Sequence, residues 1–247
     1  MTTTTKDSQQ FNKIDVLDHG YVILHDVLGT DLTVANAARV SYDKKAATLT
    51  DADRRLIAFL AREGHTSPFR HAMAQFEVYS PLMVARQHWK YVVGSSIMEA
   101  TGDTMTAWNE SSRRYVTEVP TFYIPEPDKW RSAPENSKQG SGEPLPAEIG
   151  AILSEQLRQD VAAGIKKYDR ALELGVAPEQ ARGLLNGTYF LYVRYYWTAS
   201  VQSICHFINQ RLAHDSQYEI QLYAKAVLEL IKQRFPISAD ELVHGAA

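Results

Sequence analysis

The sequence predicts an α+β fold, and three observations favour it. Apolar and polar residues alternate over residues 73–79, as in a half-buried strand, whereas Leu56, Ile57 and Leu60 recur at helical spacing. Strand and helix patterns follow one another without the regular alternation of a doubly wound parallel sheet. Neither a Gly-x-Gly-x-x-Gly fingerprint nor a Walker A loop occurs, so a nucleotide cofactor here would not sit on a Rossmann unit.

The first half of the chain is predicted to hold a hairpin, a strand and three helices. β-Favouring residues broken by Asp18-His19-Gly20 indicate the hairpin, and Asp31 and either Asp51 or Asp53 can cap helices. In chain order the expected elements are a hairpin over 13–28, helices over 31–40 and from 51 or 53 to Gly64, a loop over 64–68, the strand over 73–79, and a helix from Pro81 through Trp89.

The second half is predicted to be mainly helical. Residues 94–106 and 130–142 have the composition of loops, and residues 188–198 are aromatic and β-branched enough for a strand. The expected helices cover 147–174, 178–185, 201–212 and 216–234. Residues 1–12 form a polar tail that we expect to be disordered, and residues 13–247 are expected to form one domain.

The charge balance excludes one class of partner. The chain has 26 basic and 29 acidic residues and a formal net charge of −3, so it lacks the positive field that holds a nucleic-acid polymer. An anionic ligand must therefore be bound by a local group of residues.

The cysteine content and the hydropathy of the chain indicate where in the cell the protein is located. Cys205 is the single cysteine, which excludes an intramolecular disulfide, and the histidines lack metal-site spacing, so no metal is expected. Cys205 also lies in an apolar helical stripe, where a thiol packs as a small hydrophobe. No apolar stretch approaches the roughly 20 residues that span a bilayer. A cytoplasmic protein without membrane partners is expected.

One short segment is dense in groups that bind phosphate. Asn109-Glu110-Ser111-Ser112-Arg113-Arg114-Tyr115 combines a carboxylate, two hydroxyls and two guanidiniums. Arginine offers a planar fork for phosphate oxygens, and hydroxyl groups complete such a cradle. The alternative is a solvated polar loop with a helix cap.

Arg211 is the second candidate, because it lies at the border of the apolar stripe formed by Val201, Ile204, Cys205 and Ile208. A half-sheltered guanidinium stays charged and can polarise a bound carbonyl group. The alternative is a snorkelling arginine paired with Glu219 or Asp215.

Five stretches, taken in order, resemble the flavin-dependent thymidylate synthases over residues 13–236. They are Ala37-Ala38-Arg39-Val40-Ser41, Gly64-His65-Thr66-Ser67-Pro68-Phe69, Ala85-Arg86-Gln87, the Asn109–Tyr115 segment, and His206-Phe207-Ile208-Asn209-Gln210-Arg211 followed by Gln217 and Glu219. Each stretch is weak alone, whereas their joint order and spacing is specific.

The resemblance implies a fold, an assembly and a reaction. The fold is α+β with a mixed sheet and long helices, the chain forms one catalytic domain, and the assembly is a homotetramer with active sites between subunits. The reaction converts dUMP to dTMP with FAD, methylenetetrahydrofolate and NADPH. No cysteine attacks the pyrimidine ring in this family, which agrees with Cys205 as a packing residue.

The resemblance also implies the site residues. The residues that match dUMP-binding positions are Gln87, Glu110, Ser111, Ser112, Arg113, Arg114, Arg182 and Arg211, of which Ser112 and Arg211 are the catalytic candidates. Those that match positions near FAD are Ser41, His65, Ser67, Lys90, Tyr91, Glu110, Ser200 and His206.

The sequence departs from the family pattern on the cofactor side. Lys90, Tyr91 and Val92 occupy the positions of the family's Arg-His-Arg signature, and extra residues around 94–106 precede Asn109. Gln202 replaces a flavin-side arginine, and Ser200 replaces an asparagine. Two alternatives therefore stay open: an enzyme of the same fold that hydroxymethylates the pyrimidine or accepts dCMP, and a dUMP-binding protein without catalysis.

Overall fold

The computed structural model describes residues 12–40, 45–91, 108–111, 119–135 and 140–244. Its strands form one five-stranded sheet in the order β1-β2-β3-β5-β4. They are β1 (Lys13–Val16), β2 (Gly20–Leu28), β3 (Met73–Pro81), β4 (Trp108–Glu110) and β5 (Tyr192–Ser200). The predicted hairpin is confirmed as the antiparallel pair of β1 and β2.

All four pairings between these strands are antiparallel, which corrects the expected mixed sheet. The strands that neighbour β3 and β5 come from distant parts of the chain, and connections of that length can return a strand in either direction. Apolar alternation fixes which face of a strand is buried, but it carries no information about the direction of the neighbouring strand.

Seven of the eight helices within the described residues correspond to predicted ones, and the last, Pro236–Leu242, does not. They are α1 (Asp31–Ala38), α2 (Asp51–Arg62), α3 (Leu82–His88), α4 (Ala147–Glu173), α5 (Pro178–Ala181), α6 (Val201–Arg211), α7 (Tyr218–Lys232) and α8 (Pro236–Leu242), with 3-10 turns at Ser67–Arg70, Arg182–Leu184 and Thr188–Phe190. None of the helices in this part of the chain has the length and apolar character needed to cross a bilayer.

Asp31 has a different role from the one predicted, because Thr30 is the N-cap of α1. Its buried carboxylate instead accepts hydrogen bonds from the backbone N–H groups of Ile237 (2.9 Å) and Ser238 (3.0 Å), at the start of α8. Asp31 therefore caps a helix more than 200 positions away in the chain. The sequence analysis predicted a helix over 216–234 and did not predict α8 after it.

Asp53 is likewise not an N-cap. Thr50 holds that position in α2, and the Asp53 carboxylate accepts the Thr50 backbone N–H (2.7 Å) as in a capping box. Asp53 also forms an ion pair with Arg39, which ties α2 to the end of α1.

The main core lies between one face of the sheet and helices α6 and α7. Burial alternates along β5, with Tyr195 and Trp197 buried and Arg194 and Tyr196 exposed. Trp197 packs edge-to-face on Phe207 of α6, with ring centres 5.6 Å apart. The core thus fixes α6 against β5 and sets the place of its last residue, Arg211.

Cys205 lies in this core and is 1% exposed, and burial raises the pKa of its thiol to about 12. For the reaction that the sequence resemblance implies, we expect Cys205→Ala to keep turnover near the wild-type rate, because a neutral buried thiol cannot act as a nucleophile. Unfolding should become easier by about 1 kcal/mol, as for removal of a small buried group. Steady-state assays and urea melts of both proteins test this. Loss of turnover in a folded, flavin-binding variant would instead indicate a cysteine nucleophile.

Candidate active site

A polar cavity of about 550 Å³ opens where the ends of α3 and α6 meet the start of α7. Gln87 and Lys90 come from α3 and the turn after it, Arg211 ends α6, and Gln217 immediately precedes α7. The rest of the wall is formed by Gly140, Ser141, Asp215 and Ser216. Its volume lies within the range of about 300–1,000 Å³ that is typical of small-molecule sites.

Arg211 is held by two neutral partners. Its Nε donates to the Tyr91 hydroxyl at 3.0 Å, and its Nη1 donates to Gln87 Oε1 at 3.4 Å. The ion pairs of the described residues include none between Arg211 and Asp215 or Glu219, the alternative considered from the sequence. The half-buried guanidinium therefore keeps its positive charge at the wall of the cavity.

Gln87 is fixed by a chain of amide hydrogen bonds. Its Nε2 donates to Gln217 Oε1 at 2.6 Å, and Gln217 Nε2 donates to Glu219 Oε2 at 2.8 Å. Since Glu219 is buried, its carboxylate fixes one end of this series of hydrogen bonds. Gln217 was part of the sequence resemblance but was missed as a site residue, because its role depends on this contact between α3 and α7.

The described part of the predicted phosphate segment, residues 109–111, lies at the sheet edge. Glu110 ends β4, and the Ser111 N–H donates to the Arg194 carbonyl at 2.8 Å, which prolongs the ladder. Although Glu110 is exposed at this edge, the surrounding protein raises the pKa of its carboxyl, and the charges of Arg182 and Arg86 partly oppose that rise. The charges of Arg182 and Arg86 therefore reach the Glu110 carboxyl group. Ser112, Arg113 and Arg114 lie outside the described residues.

The cavity at Arg211 and the group around Glu110 do not coincide. The cavity lining includes Gln87 and Lys90 but neither Glu110 nor Arg182. Gln87 and Arg86 are adjacent in α3, so their side chains leave the helix in different directions. Within the described part of one chain, the residues that match dUMP-binding positions thus form two groups.

Most residues that match flavin positions are exposed. His65 precedes the 3-10 turn that begins at Ser67, both are exposed, and His206 is exposed on α6. Ser200 differs, because it is buried and its hydroxyl accepts the Ser203 N–H at 3.3 Å as the N-cap of α6. Ser41 lies outside the described residues.

Lys90 and Tyr91, in the signature positions, point to different surroundings. Lys90 is exposed and lines the cavity. Tyr91 is only 6% exposed, and its hydroxyl contacts Arg211. The side chain of Tyr91 is thus engaged inside the protein, and the sequence resemblance to flavin-binding positions did not anticipate this.

Arg70 is a cationic residue that the sequence reasoning missed. It ends the 3-10 turn that contains Ser67, and its Nε donates to Gln202 Oε1 at 2.6 Å. The sequence resemblance placed Gln202 at the position of a flavin-side arginine. The exposed Arg70 guanidinium therefore brings a positive charge to the neighbourhood of that position.

His88 is excluded as an acid or base. It is 1% exposed and stacks on Phe207 with ring centres 4.2 Å apart, and its Nδ1 shares a hydrogen bond with the Tyr195 hydroxyl at 3.0 Å. Burial, with a contribution from the charge of Arg211, lowers its pKa to about 3, so the ring is neutral at physiological pH.

No group of three potential metal ligands occurs among the residues that the structure describes.

Comparisons with known proteins agree on one family. The family model described as "Thymidylate synthase complementing protein" matches residues 23–237. Proteins named flavin-dependent thymidylate synthase from Thermus thermophilus and Thermotoga neapolitana are each 35% identical to this chain. The first match covers 94% of this chain and 80% of the relative, and the second covers 95% of both.

A solved structure is similar in fold. It is a UMP/dUMP methylase, PolB from Streptomyces cacaoi, bound with 5-Br UMP. The superposition has a TM-score of 0.74 at 24% identity and covers 94% of this chain and 99% of that one.

Proposed function

The chain belongs to the thymidylate synthase complementing protein family, and we propose that it catalyses the FAD-dependent reductive methylation of dUMP to dTMP. The flavin follows from the name shared by its relatives. Methylenetetrahydrofolate supplies the carbon and NADPH the reducing equivalents, as the family resemblance implies. The observation that carries the proposal is the charged Arg211 guanidinium, held by neutral partners at the wall of a cavity of nucleotide size.

Arg211 has the chemistry that activation of a pyrimidine needs. Electron density moves onto a ring carbonyl when the ring is attacked, and a fixed positive charge stabilises that oxygen. The guanidinium cannot lose its proton, so it offers this charge at any physiological pH. Gln87, fixed by Gln217, adds an amide that can orient the base.

The residues on the cofactor side fit a flavin dinucleotide. His65, Ser67 and Arg70 come from one loop and turn, and Arg70 links that turn to α6 through Gln202. Imidazole and hydroxyl groups can hydrogen-bond the polar edge of a flavin, while Arg70 and Lys90 can pair with its phosphates. FAD, when bound, would carry the hydride between NADPH and the pyrimidine.

A complete site on this proposal needs a second copy of the chain. Among the described residues, none that lines the Arg211 cavity belongs to the Asn109–Tyr115 segment, and Glu110 and Ser111 lie at the sheet edge instead. A homotetramer with sites between subunits, as the family resemblance implies, brings one group to the other. A cytoplasmic location would give the enzyme access to its substrate, dUMP.

Mixing two inactive variants tests the shared site. Arg114→Ala and Arg211→Ala should each lose turnover, and subunit exchange between them should restore both residues in about one quarter of the sites. dTMP formation after co-refolding measures this. Mixing Arg211→Ala with the Arg114→Ala/Arg211→Ala double variant is the matched control, because no subunit then carries Arg211. Equal activity in the two mixtures would mean that each site belongs to one subunit.

Product analysis tests the proposed reaction. The purified protein is incubated with dUMP, methylenetetrahydrofolate, NADPH and FAD, and each component is then omitted in turn. We expect dTMP only in the complete mixture. A product with the mass of hydroxymethyl-dUMP, turnover only when dCMP takes the place of dUMP in the mixture, or dUMP binding without any product would each replace the proposal by one of its alternatives.

A further inference from the structure

Tyr91 is tied on both sides of its hydroxyl group. The O–H donates to Gln210 Oε1 at 2.5 Å, and the same oxygen accepts from Arg211 Nε at 3.0 Å. The guanidinium carbon also lies 5.5 Å from the centre of the Tyr91 ring. One side chain therefore restricts the Arg211 guanidinium through a hydrogen bond and through its aromatic face.

Tyr91 itself is held firmly. Trp197 Nε1 donates to the Tyr91 carbonyl at 2.6 Å, and the Tyr91 ring packs edge-to-face on Phe207 with centres 5.0 Å apart. Both partners are fully buried core residues. The hydroxyl thus has a position set by the core, from which it can hold a more mobile group.

Without this hydroxyl, Arg211 would keep one hydrogen bond within the part of the chain that the structure describes, the longer one to Gln87 at 3.4 Å. That bond restrains one terminal nitrogen, whereas the bond at Nε restrains the plane of the whole guanidinium group. Two restraints at different nitrogens fix the orientation, and one leaves the group free to turn.

From this geometry we propose that Tyr91 is a positioning residue for the reaction, holding the Arg211 guanidinium in the orientation that faces the pyrimidine. The inference rests on the proposed function. Burial raises the pKa of the Tyr91 phenol, against the opposing effect of Arg211, so the hydroxyl stays protonated and keeps its donor for Gln210. The family resemblance had suggested a flavin contact for this position, whereas the contacts observed here lead to Arg211.

The test compares two variants, each of which loses one tyrosine hydroxyl group. Tyr91→Phe keeps the ring and its packing, and Tyr223→Phe is the matched control, because the Tyr223 hydroxyl donates to the backbone carbonyl of Tyr79 (2.9 Å) in the core. We expect Tyr91→Phe to lower kcat by about 10- to 100-fold, as for a misoriented catalytic group. FAD affinity and KM for dUMP should change less than about threefold. The control variant Tyr223→Phe should keep the wild-type kcat.

A double-mutant cycle separates positioning from general packing. If Tyr91 acts through Arg211, adding Tyr91→Phe to Arg211→Lys should cost much less than its effect in the wild type, since the orientation is already lost. Equal losses of kcat in both backgrounds would overturn the proposal. Should Tyr91→Phe fail to fold, Gln210→Met replaces it, because Gln210 is exposed and its change removes only the acceptor that orients the hydroxyl. We expect Gln210→Met to lower kcat as well, and a wild-type kcat would count against the proposal.

The outcomes also distinguish this inference from the proposed function. A wild-type protein that forms no dTMP would overturn both. An active wild type whose kcat is matched by Tyr91→Phe would overturn only the role of Tyr91.

Discussion

Replacing Arg211 by alanine should lower turnover by a factor on the order of 10² to 10³, which is typical when one group that stabilises developing charge is removed. The loss should appear in kcat, because the interaction strengthens as charge builds on the ring carbonyl. Tyr91 and Gln87 remain, but neither carries a positive charge. Steady-state assays at saturating dUMP and FAD measure the effect.

Two controls accompany this measurement. Arg211→Lys keeps the charge but loses the planar fork, so its activity should lie between those of the wild type and the alanine variant. Arg62→Ala removes an exposed arginine of α2 and should leave turnover unchanged. Near-normal turnover in a folded Arg211→Ala protein would contradict the assignment of Arg211.

FAD should bind weakly to the wild type and at least about tenfold more tightly to the Lys90→Arg/Val92→Arg variant, given about 1.5–3 kcal/mol for each charge-assisted contact. Lysine presents one charge to a phosphate but lacks the fork that engages two oxygens, and valine offers neither charge nor hydrogen bond. The wild type should accordingly purify largely without flavin and need added FAD for activity. Titration of FAD followed by flavin fluorescence measures both affinities.

Lys166→Arg is the matched control, because Lys166 is an exposed lysine on α4, remote in sequence from the signature positions. It should leave FAD affinity unchanged. Tight binding by the wild type that the double substitution does not improve would indicate that other groups replace the missing arginines. Arg70 is then the first candidate, and Arg70→Ala should release the flavin.

The elements of the fold were largely predictable because local pattern determines them. The alternation over residues 73–79 and the apolar stripe of α6 both follow from burial of one face. Strand direction and the capping of α8 by Asp31 were not predictable, because each depends on contacts between parts of the chain that are distant in sequence.

Some features of the candidate site were likewise predictable from the sequence, and others were not. The half-sheltered position of Arg211 followed from helical periodicity, and the structure adds that its partners are Tyr91 and Gln87 and not a carboxylate. The inward orientation of Tyr91 could not be read from the sequence, because the turn after α3 determines it. Arg70 lay directly after the recognised Ser67-Pro68-Phe69 stretch, and its approach to Gln202 needed the packing of that turn on α6.

The folate product tests the central claim most directly. Turning the methylene carbon into the methyl group of dTMP takes two electrons. If NADPH supplies them through the flavin, the folate leaves as tetrahydrofolate; if the folate supplies them, it leaves as dihydrofolate. Chromatography of one reaction with dUMP, methylenetetrahydrofolate, NADPH and FAD quantifies dTMP and both folates. The proposed function predicts equal amounts of dTMP and tetrahydrofolate, with formation of both abolished when FAD is omitted, whereas dihydrofolate formed in step with dTMP would contradict it.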